Sequence, residues 1–235
     1  ENGQEQAKAF TWQRVCQQVA GIYRKAMEVE PATVSVIIPV WNKTEEKIRR
    51  AIDSAIEQTF LPNSIAVIDD GSDNEIAVRT LIEDYRRESS IIHYVRQQNS
   101  GVAIARNRGI DYTNNTKYIC CLDADDWIAP TFLEVCVNAL EADPSLGLAY
   151  TGLTSHEPDG KIQLSPGNPY WNYDKGLDGQ NTVWTCNVFR RKVWERLGGY
   201  RQRYAPDGAG EEDAELWLRM GAYGWKAEKV TNEGL

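Results

Sequence analysis

Residues 118–127 read YICCLDADDW, an apolar stretch that runs straight into the carboxylates Asp123, Asp125 and Asp126. The first half is short and suits a pleated surface, which predicts a buried strand. The second half sets Asp123 and Asp125 two positions apart at the strand's C-terminal end. In open α/β sheets, that edge is where ligands bind. Two carboxylates so close repel each other unless something positive sits between them. Mg²⁺ or Mn²⁺ typically takes one or two carboxylates together with substrate phosphate oxygens. One reading is therefore a D-x-D site for a metal–diphosphate. The other is a solvated acidic turn capping a helix that begins at Pro130.

Upstream, the same unit recurs. TVSVIIPV, residues 33–40, is β-branched and almost continuously apolar, as a central parallel strand covered on both faces is. Pro39 ends that run, and Trp41 and Asn42 lead into a helix expected over 44–58. A second strand, 64–68, delivers Asp69-Asp70-Gly71-Ser72 at its end. A helix over 75–87 and a strand over 91–95 follow. NSGVAIARNRG, residues 99–109, is a loop entering a helix that carries Arg106 and Arg108. The fourth strand, 117–122, ends at the aspartates. Repeated strand–helix units with short connections predict an α/β fold, a parallel sheet with helices on both faces.

Downstream, the pattern predicts a helix over 130–142, a strand over 146–150 and a hairpin at the Pro-Asp-Gly turn within 157–163. A long loop rich in aromatics covers 165–180. A strand over 183–189 and a short helix over 192–197, ended by Gly198-Gly199, come next. A helix over 211–222 and an edge strand over 226–230 close the chain. Residues 1–30 are polar, and Val15, Val19, Ile22, Ala26 and Val29 make one apolar stripe at helical spacing.

Composition narrows the function classes. Of 235 residues, 42% are hydrophobic and 26% charged, which is ordinary for a soluble globular protein. A net charge of −8 argues against nucleic acid or an anionic membrane surface as the main partner. It is compatible with an anionic substrate, because a metal inverts the local field. Cys16, Cys120, Cys121, Cys136 and Cys186 form no C-x-x-C and no zinc spacing. They read as reduced structural residues of a reducing compartment, and the cytoplasm is the expected location. No apolar run approaches the ~20 residues of a membrane span, and no signal peptide is visible. The first residue is Glu1 and the last Leu235, so the sequence reads as a piece of a longer protein.

Asn42, Asp69-Asp70, Asp123-Asp125 and Glu211-Glu212-Asp213 all stand at strand ends or helix starts. Strand C-termini of a parallel sheet lie along one edge, so clusters scattered in sequence converge in space. A hydrophobic core has no need of acids at every strand end.

Six pieces then occur in order: VSVIIPVWN (34–42), VIDDGSDN (67–74), NSGVAIARNRG (99–109), LDADDW (122–127), LGGY (197–200) and EDAELWLR (212–219). Together they resemble the inverting family 2 glycosyltransferases, over most of the chain. The resemblance implies a GT-A fold, a Rossmann-like and mostly parallel sheet. An N-terminal helical extension, 1–31, would precede a GT-A domain, 32–235, with a nucleotide-binding half at about 32–127 and an acceptor-binding half at about 128–235. It implies an enzyme that moves a sugar from a nucleotide-diphospho-sugar, most commonly a UDP-sugar, to a hydroxyl of a glycan or other acceptor, with Mn²⁺ or Mg²⁺.

By the same resemblance, Asp70 accepts from the uracil N–H, Pro39 and Trp41 line the base pocket, and Arg106 reaches the base or the diphosphate. Asp123 binds the ribose or a metal-bound water, and Asp125 ligates the metal. Asp213 is the general base, and Glu212 binds an acceptor hydroxyl. In the aromatic-rich loop, Tyr170, Trp171, Tyr173 and Trp184 are candidates to stack on sugar faces, with core filling the equal alternative for Trp184. Asp126 is expected to cap the following turn rather than bind metal. The family often adds a late histidine ligand, but none follows His156 here. PVWNKT after the first strand lacks the glycine pattern of a dinucleotide-binding oxidoreductase and the Gly-rich basic loop of a nucleotidyltransferase. A catalytically silent module that binds sugar nucleotide or glycan is the alternative from another class.

Overall fold

The computed structural model describes residues 19, 31–113, 115–156, 161–165, 171, 173–177, 183, 186–202 and 212–234. The chain divides into two units, Glu1–Ala32 and Thr33–Leu235. The helix expected over 1–30 lies, Val19 apart, outside the described residues. In the second unit the order is β1 (Val34–Val40), α1 (Glu45–Ile56), β2 (Ser64–Asp70), α2 (Glu75–Glu88), β3 (Ile92–Gln97), α3 (Val102–Tyr112), β4 (Tyr118–Cys121), α4 (Phe132–Ala142), β5 (Leu146–His156), β6 (Ile162–Ser165), α5 (Tyr173–Leu177), β7 (Asn187–Arg190), α6 (Arg191–Leu197), α7 (Glu212–Ala222) and β8 (Lys226–Gly234).

The strands form one sheet in the order β3-β2-β1-β4-β7-β5-β6, with β8 also on β5. β3, β2, β1 and β4 are parallel, in the register Ser35↔Ser64, Val34↔Tyr118 and Ile65↔Ile92. β1 and β2 sit inside this run, and their apolar residues are buried on both faces. Gly109 lets α3 lie directly on the sheet. A Cβ there would come within 2.4 Å of Ile37 Cγ2.

The sheet is mostly parallel, as expected, and turns antiparallel at β7 and in the β5–β6 hairpin. β7 enters antiparallel between β4 and β5, although it comes far later in the chain. Two consecutive buried arginines hold it there. Arg190 Nε donates to Leu146 O at 2.6 Å, and its Nη2 donates to Leu140 O at the end of α4. Arg191 Nε donates to Thr116 O at 2.6 Å, its Nη1 to Ile110 O at 2.9 Å and its Nη2 to Thr113 O at 2.5 Å. Leu146 opens β5; the other carbonyls lie at or just past the C-terminal ends of α3 and α4, where cations are favoured and backbone acceptors lack helical partners.

Smaller differences follow from tertiary pairing. β5 runs on to His156 because its second half pairs with β6, from Leu153↔Ser165 to His156↔Ile162. α4 starts at Phe132, with Thr131 in the cap position and no side-chain cap bond. Asp126 therefore does not cap that helix; its N–H donates to Asp123 O at 3.0 Å and closes a turn. The aromatic loop holds the short α5, and β8 pairs parallel with β5. Among the described residues, no helix is long and apolar enough to cross a membrane. The described cysteines, Cys120, Cys121, Cys136 and Cys186, are buried free thiols.

Candidate active site

The C-terminal ends of β1, β2 and β4 open into a cleft of about 660 Å³, closed on other sides by the start of α3, by Gln202 and by Glu212. Pro39, Trp41, Asp70, Asp123, Asp125 and Glu212 all line it.

Asp70 ends β2 and is buried. It accepts from Gln97 Nε2 at 2.7 Å, Ser100 N at 2.8 Å and Gly101 N at 2.9 Å. These bonds fold the loop before α3 over the sheet edge. Gly71, at φ +77°, makes the fold possible, since a Cβ would lie 2.6 Å from Asn99 N. The neighbouring Asp69 is fully buried and serves the loop after β2. It accepts from Ser72 N at 2.8 Å, Tyr94 Oη at 2.8 Å and Arg96 Nη1 at 2.5 Å. Asn42 ties the loop after β1 to the loop after β2, exchanging bonds of 2.8 and 2.9 Å with Asp73.

Arg106 is 2% exposed and lies beneath the cleft floor. Its Nη1 donates to Glu212 Oε1 at 2.5 Å and to Asp213 Oδ1 at 2.7 Å, and its Nη2 donates to Asp123 Oδ1 at 2.9 Å. A reach to base or diphosphate, expected from the sequence, is not what the structure shows. The guanidinium is spent on three carboxylates, because only a buried cation lets three acids share one corner. Burial opposes its charge, but Asp213 and Asp123 outweigh burial and hold its pKa well above the usual arginine value.

The residues around Arg106 explain two further motifs. Asn107 Nδ2 donates to Tyr200 O at 2.8 Å, and Asn107 Oδ1 accepts from Tyr200 N and Trp194 Nε1, each at 2.9 Å. Gly199 of LGGY has φ +78°, and a Cβ on it would approach Asn107 Oδ1 to 2.8 Å. Tyr200 then sits with its ring 5.5 Å from the Arg106 guanidinium carbon, edge-on to Phe189 and Trp217. In α7, Leu216 and Trp217 enter the core. Arg219 donates to Leu197 O at 2.5 Å and Gly199 O at 2.7 Å, pinning the helix that carries Glu212 and Asp213. The sequence reading missed Asn107, Tyr200 and Arg219 as supports, although all three stand inside the quoted motifs.

Asp125 lies at the cleft mouth. Its Oδ2 accepts from Lys43 Nζ at 2.7 Å, and Lys47 Nζ is 3.5 Å away. Desolvation would raise its carboxyl pKa, but the two lysines prevail and hold it below the usual carboxylate range. Asp126 has its carboxyl pushed up to about 6, by desolvation first and then by Asp123 and Asp125. Among the described residues no three His, Cys, Asp or Glu side chains gather as a cation cage. Asp123 and Asp125 nonetheless fit the hard cation expected, since Mg²⁺ and Mn²⁺ commonly use one or two carboxylates and complete their shell with waters and phosphate oxygens.

Trp184, Tyr170 and Glu211 lie outside the described residues. Trp171 and Tyr173, candidates for stacking on sugar faces, are half-buried and pack against Gly221 of α7. A Cβ at Gly221 would come within 2.2 Å of Trp171 Cη2 and 2.8 Å of Tyr173 Cδ2. His93 lies tilted against Tyr112, and His156 lies 4.8 Å from the Trp127 ring.

The family model "Glycosyl transferase family 2" matches residues 35–198. A chondroitin synthase of Escherichia coli is 27% identical over 226 residues, covering 92% of this chain and 31% of that protein. A hyaluronan synthase of Pasteurella multocida is 26% identical over 232 residues, covering 95% of this chain and 23% of that protein. The chain thus spans less than a third of the length of these relatives. Among solved structures, GalNAc-T7 with UDP, GalNAc and Mn²⁺ superposes with a TM-score of 0.62 and 19% identity, over 85% of this chain and 42% of that one.

Proposed function

The chain belongs to glycosyl transferase family 2, and we propose that its cleft transfers a sugar from a nucleotide-diphospho-sugar, with UDP as the nucleotide, to a hydroxyl of a glycan. Glycosyl transfer and the GT-A fold come with the family and its structural neighbours. The likeness to a chondroitin synthase and a hyaluronan synthase supports a glycan acceptor. The UDP and Mn²⁺ held by GalNAc-T7 support the donor and the cation.

One observation carries the mechanistic reading: Asp123, from the end of β4, and Glu212 and Asp213, from the start of α7, meet on one buried guanidinium at the cleft. Donor-side and acceptor-side acids are thereby held in one corner. Pro39 and Trp41 wall the base pocket. Asp70, held by Gln97 and two peptide N–H groups, offers its remaining lone pairs to the base N–H. Asp123 binds the ribose. Glu212 orients the acceptor hydroxyl, and Asp213 takes its proton as the new bond forms. No side chain acts as nucleophile, so a single displacement inverts the anomeric centre. Asp125 would hold the cation, which as a Lewis acid supplies stabilisation of the charge left on the departing diphosphate. The nucleotide-binding half is residues 32–127, and the acceptor half is 128–235.

Calorimetric titration of UDP, GDP and dTDP, with and without Mn²⁺, tests this reading. Mn²⁺-dependent binding of UDP is expected. Absence of binding by all three nucleotides would sink it.

A further inference from the structure

The described lining of the cleft carries four carboxylates, Asp70, Asp123, Asp125 and Glu212, and a single side-chain cation, Lys43. A diphosphate entering such a cleft must find positive charge. Arg106 is buried below the floor and bonded to Asp123, Glu212 and Asp213. Asp70 is bonded to Gln97 and to peptide N–H groups. Asp125 differs from these, because the side chains on it are lysines, ammonium groups on flexible stems: Lys43 and Lys47 converge on the same oxygen, at 2.7 and 3.5 Å.

Two ammonium groups thus converge on one carboxylate at the cleft mouth. The backbone beneath is anchored, since Arg50 Nη2 donates to Asp125 O at 3.2 Å and its guanidinium lies 3.7 Å over the Trp127 ring. Rearrangement at this carboxylate therefore needs only the lysine side chains to turn. Lys43 and Asp125 are each 34% exposed, and an ion pair with that much solvent contact contributes little stability, so its release is not prohibitive. An ammonium on a four-carbon stem binds phosphate as a point charge and swings between partners easily.

We propose that Lys43, supported by Lys47, is the donor's diphosphate-binding side chain, held in reserve on Asp125 while the cleft is empty. When Asp125 ligates a divalent cation, the lysines are displaced from it and Lys43 turns to the diphosphate. Cation and lysines thus compete for one carboxylate but cooperate on the nucleotide. This rests on the reading of Asp125 as the cation ligand.

The test measures two affinities on the wild type, Lys43→Met, Lys47→Met and Asp125→Asn. Mn²⁺ alone is titrated and followed by the electron paramagnetic resonance of the free ion. Then UDP, GDP and dTDP are titrated calorimetrically at saturating Mn²⁺. Lys43→Met should tighten Mn²⁺ by about threefold and weaken the nucleotide that binds by about tenfold. Lys47→Met should do the same to a smaller extent. The opposite signs are the signature, because a general loss of fold weakens both. Unchanged affinities, or two affinities moving together in Lys43→Met, overturn the proposal while loss of Mn²⁺ binding in Asp125→Asn leaves the cation reading standing. Mn²⁺ binding that survives Asp125→Asn, or a wild type that binds none of the three nucleotides, overturns the reading beneath as well.

Discussion

Arg106 Nη1 donates to Asp213 Oδ1 at 2.7 Å, from a side chain only 2% exposed. The same nitrogen serves Glu212, so the first turn of α7 is fastened to the middle of α3. The proposed base therefore has its place set by a charge that substrate does not touch.

Removing that charge leaves three carboxylates in one corner without their cation. Arg106→Met should destabilise the fold by about 3–5 kcal/mol, the cost of stranding partners of a buried ion pair. Urea denaturation measures it. A loss under ~1 kcal/mol, typical of an exposed pair, would show that the corner is wet and the pairing weak.

Asp213→Asn keeps the shape of the corner and removes the proton acceptor. Transfer should fall by about a hundredfold or more, while Mn²⁺-dependent nucleotide binding stays as in the wild type. Retained transfer would remove Asp213 as the base.

Gly109→Val places a branched side chain where a Cβ already meets Ile37 at 2.4 Å. The expected loss is about 1–3 kcal/mol from overpacking. Because α3 carries Arg106, nucleotide binding should weaken as well. A variant with wild-type stability and affinity would show that α3 shifts freely over β1.

Arg191→Met strands the carbonyls of Ile110, Thr113 and Thr116, far from the cleft. A loss of about 3 kcal/mol is expected, from buried acceptors left unpaired. Thermal unfolding reports it, with nucleotide affinity unaltered below the transition.

The buried thiols set a pH dependence. Burial, above all, pushes Cys121 up to about 12, and it raises Cys136 well above the ordinary value. These groups stay protonated in the folded chain while their unfolded counterparts ionise near pH ~8.5. Their contribution is fully present below that pH and is lost as pH rises toward the folded values. The urea midpoint should therefore be lower at pH 9.5 than at pH 7.5. Iodoacetamide should label Cys121 and Cys136 only after unfolding. Rapid labelling of the folded protein would contradict their burial.

Much of the fold was legible in the sequence because its signals are local. The β-branched run 34–40 and the apolar run ending at Cys121 declare buried strands by composition alone. The predicted edge strand and the β5–β6 hairpin follow from short-range pattern and turn chemistry. The antiparallel entry of β7 was not legible. It depends on Arg190 and Arg191 finding the carbonyls of two helix ends, and an arginine pair beside a short helix reads locally as surface charge. The packing of Trp171 and Tyr173 was not legible for a related reason. An aromatic in a Gly- and Pro-rich loop reads as available for stacking, yet Gly221, some fifty positions on, supplies the flat surface they cover.

The candidate site divides along the same line. The sequence by itself determined that carboxylates stand at the ends of β2 and β4 and at the start of α7, and that a parallel sheet brings strand ends to one edge. Chain direction and the period of the strand suffice for that. Only the tertiary structure decided what each charge faces. Arg106 lies beneath the site rather than in it, Asp69 is paired with Arg96, and Asp125 is held by Lys43 and Lys47. A buried charge takes whichever partners lower its energy where water is excluded, and those partners lie at the far end of long sequence separations that no local pattern encodes.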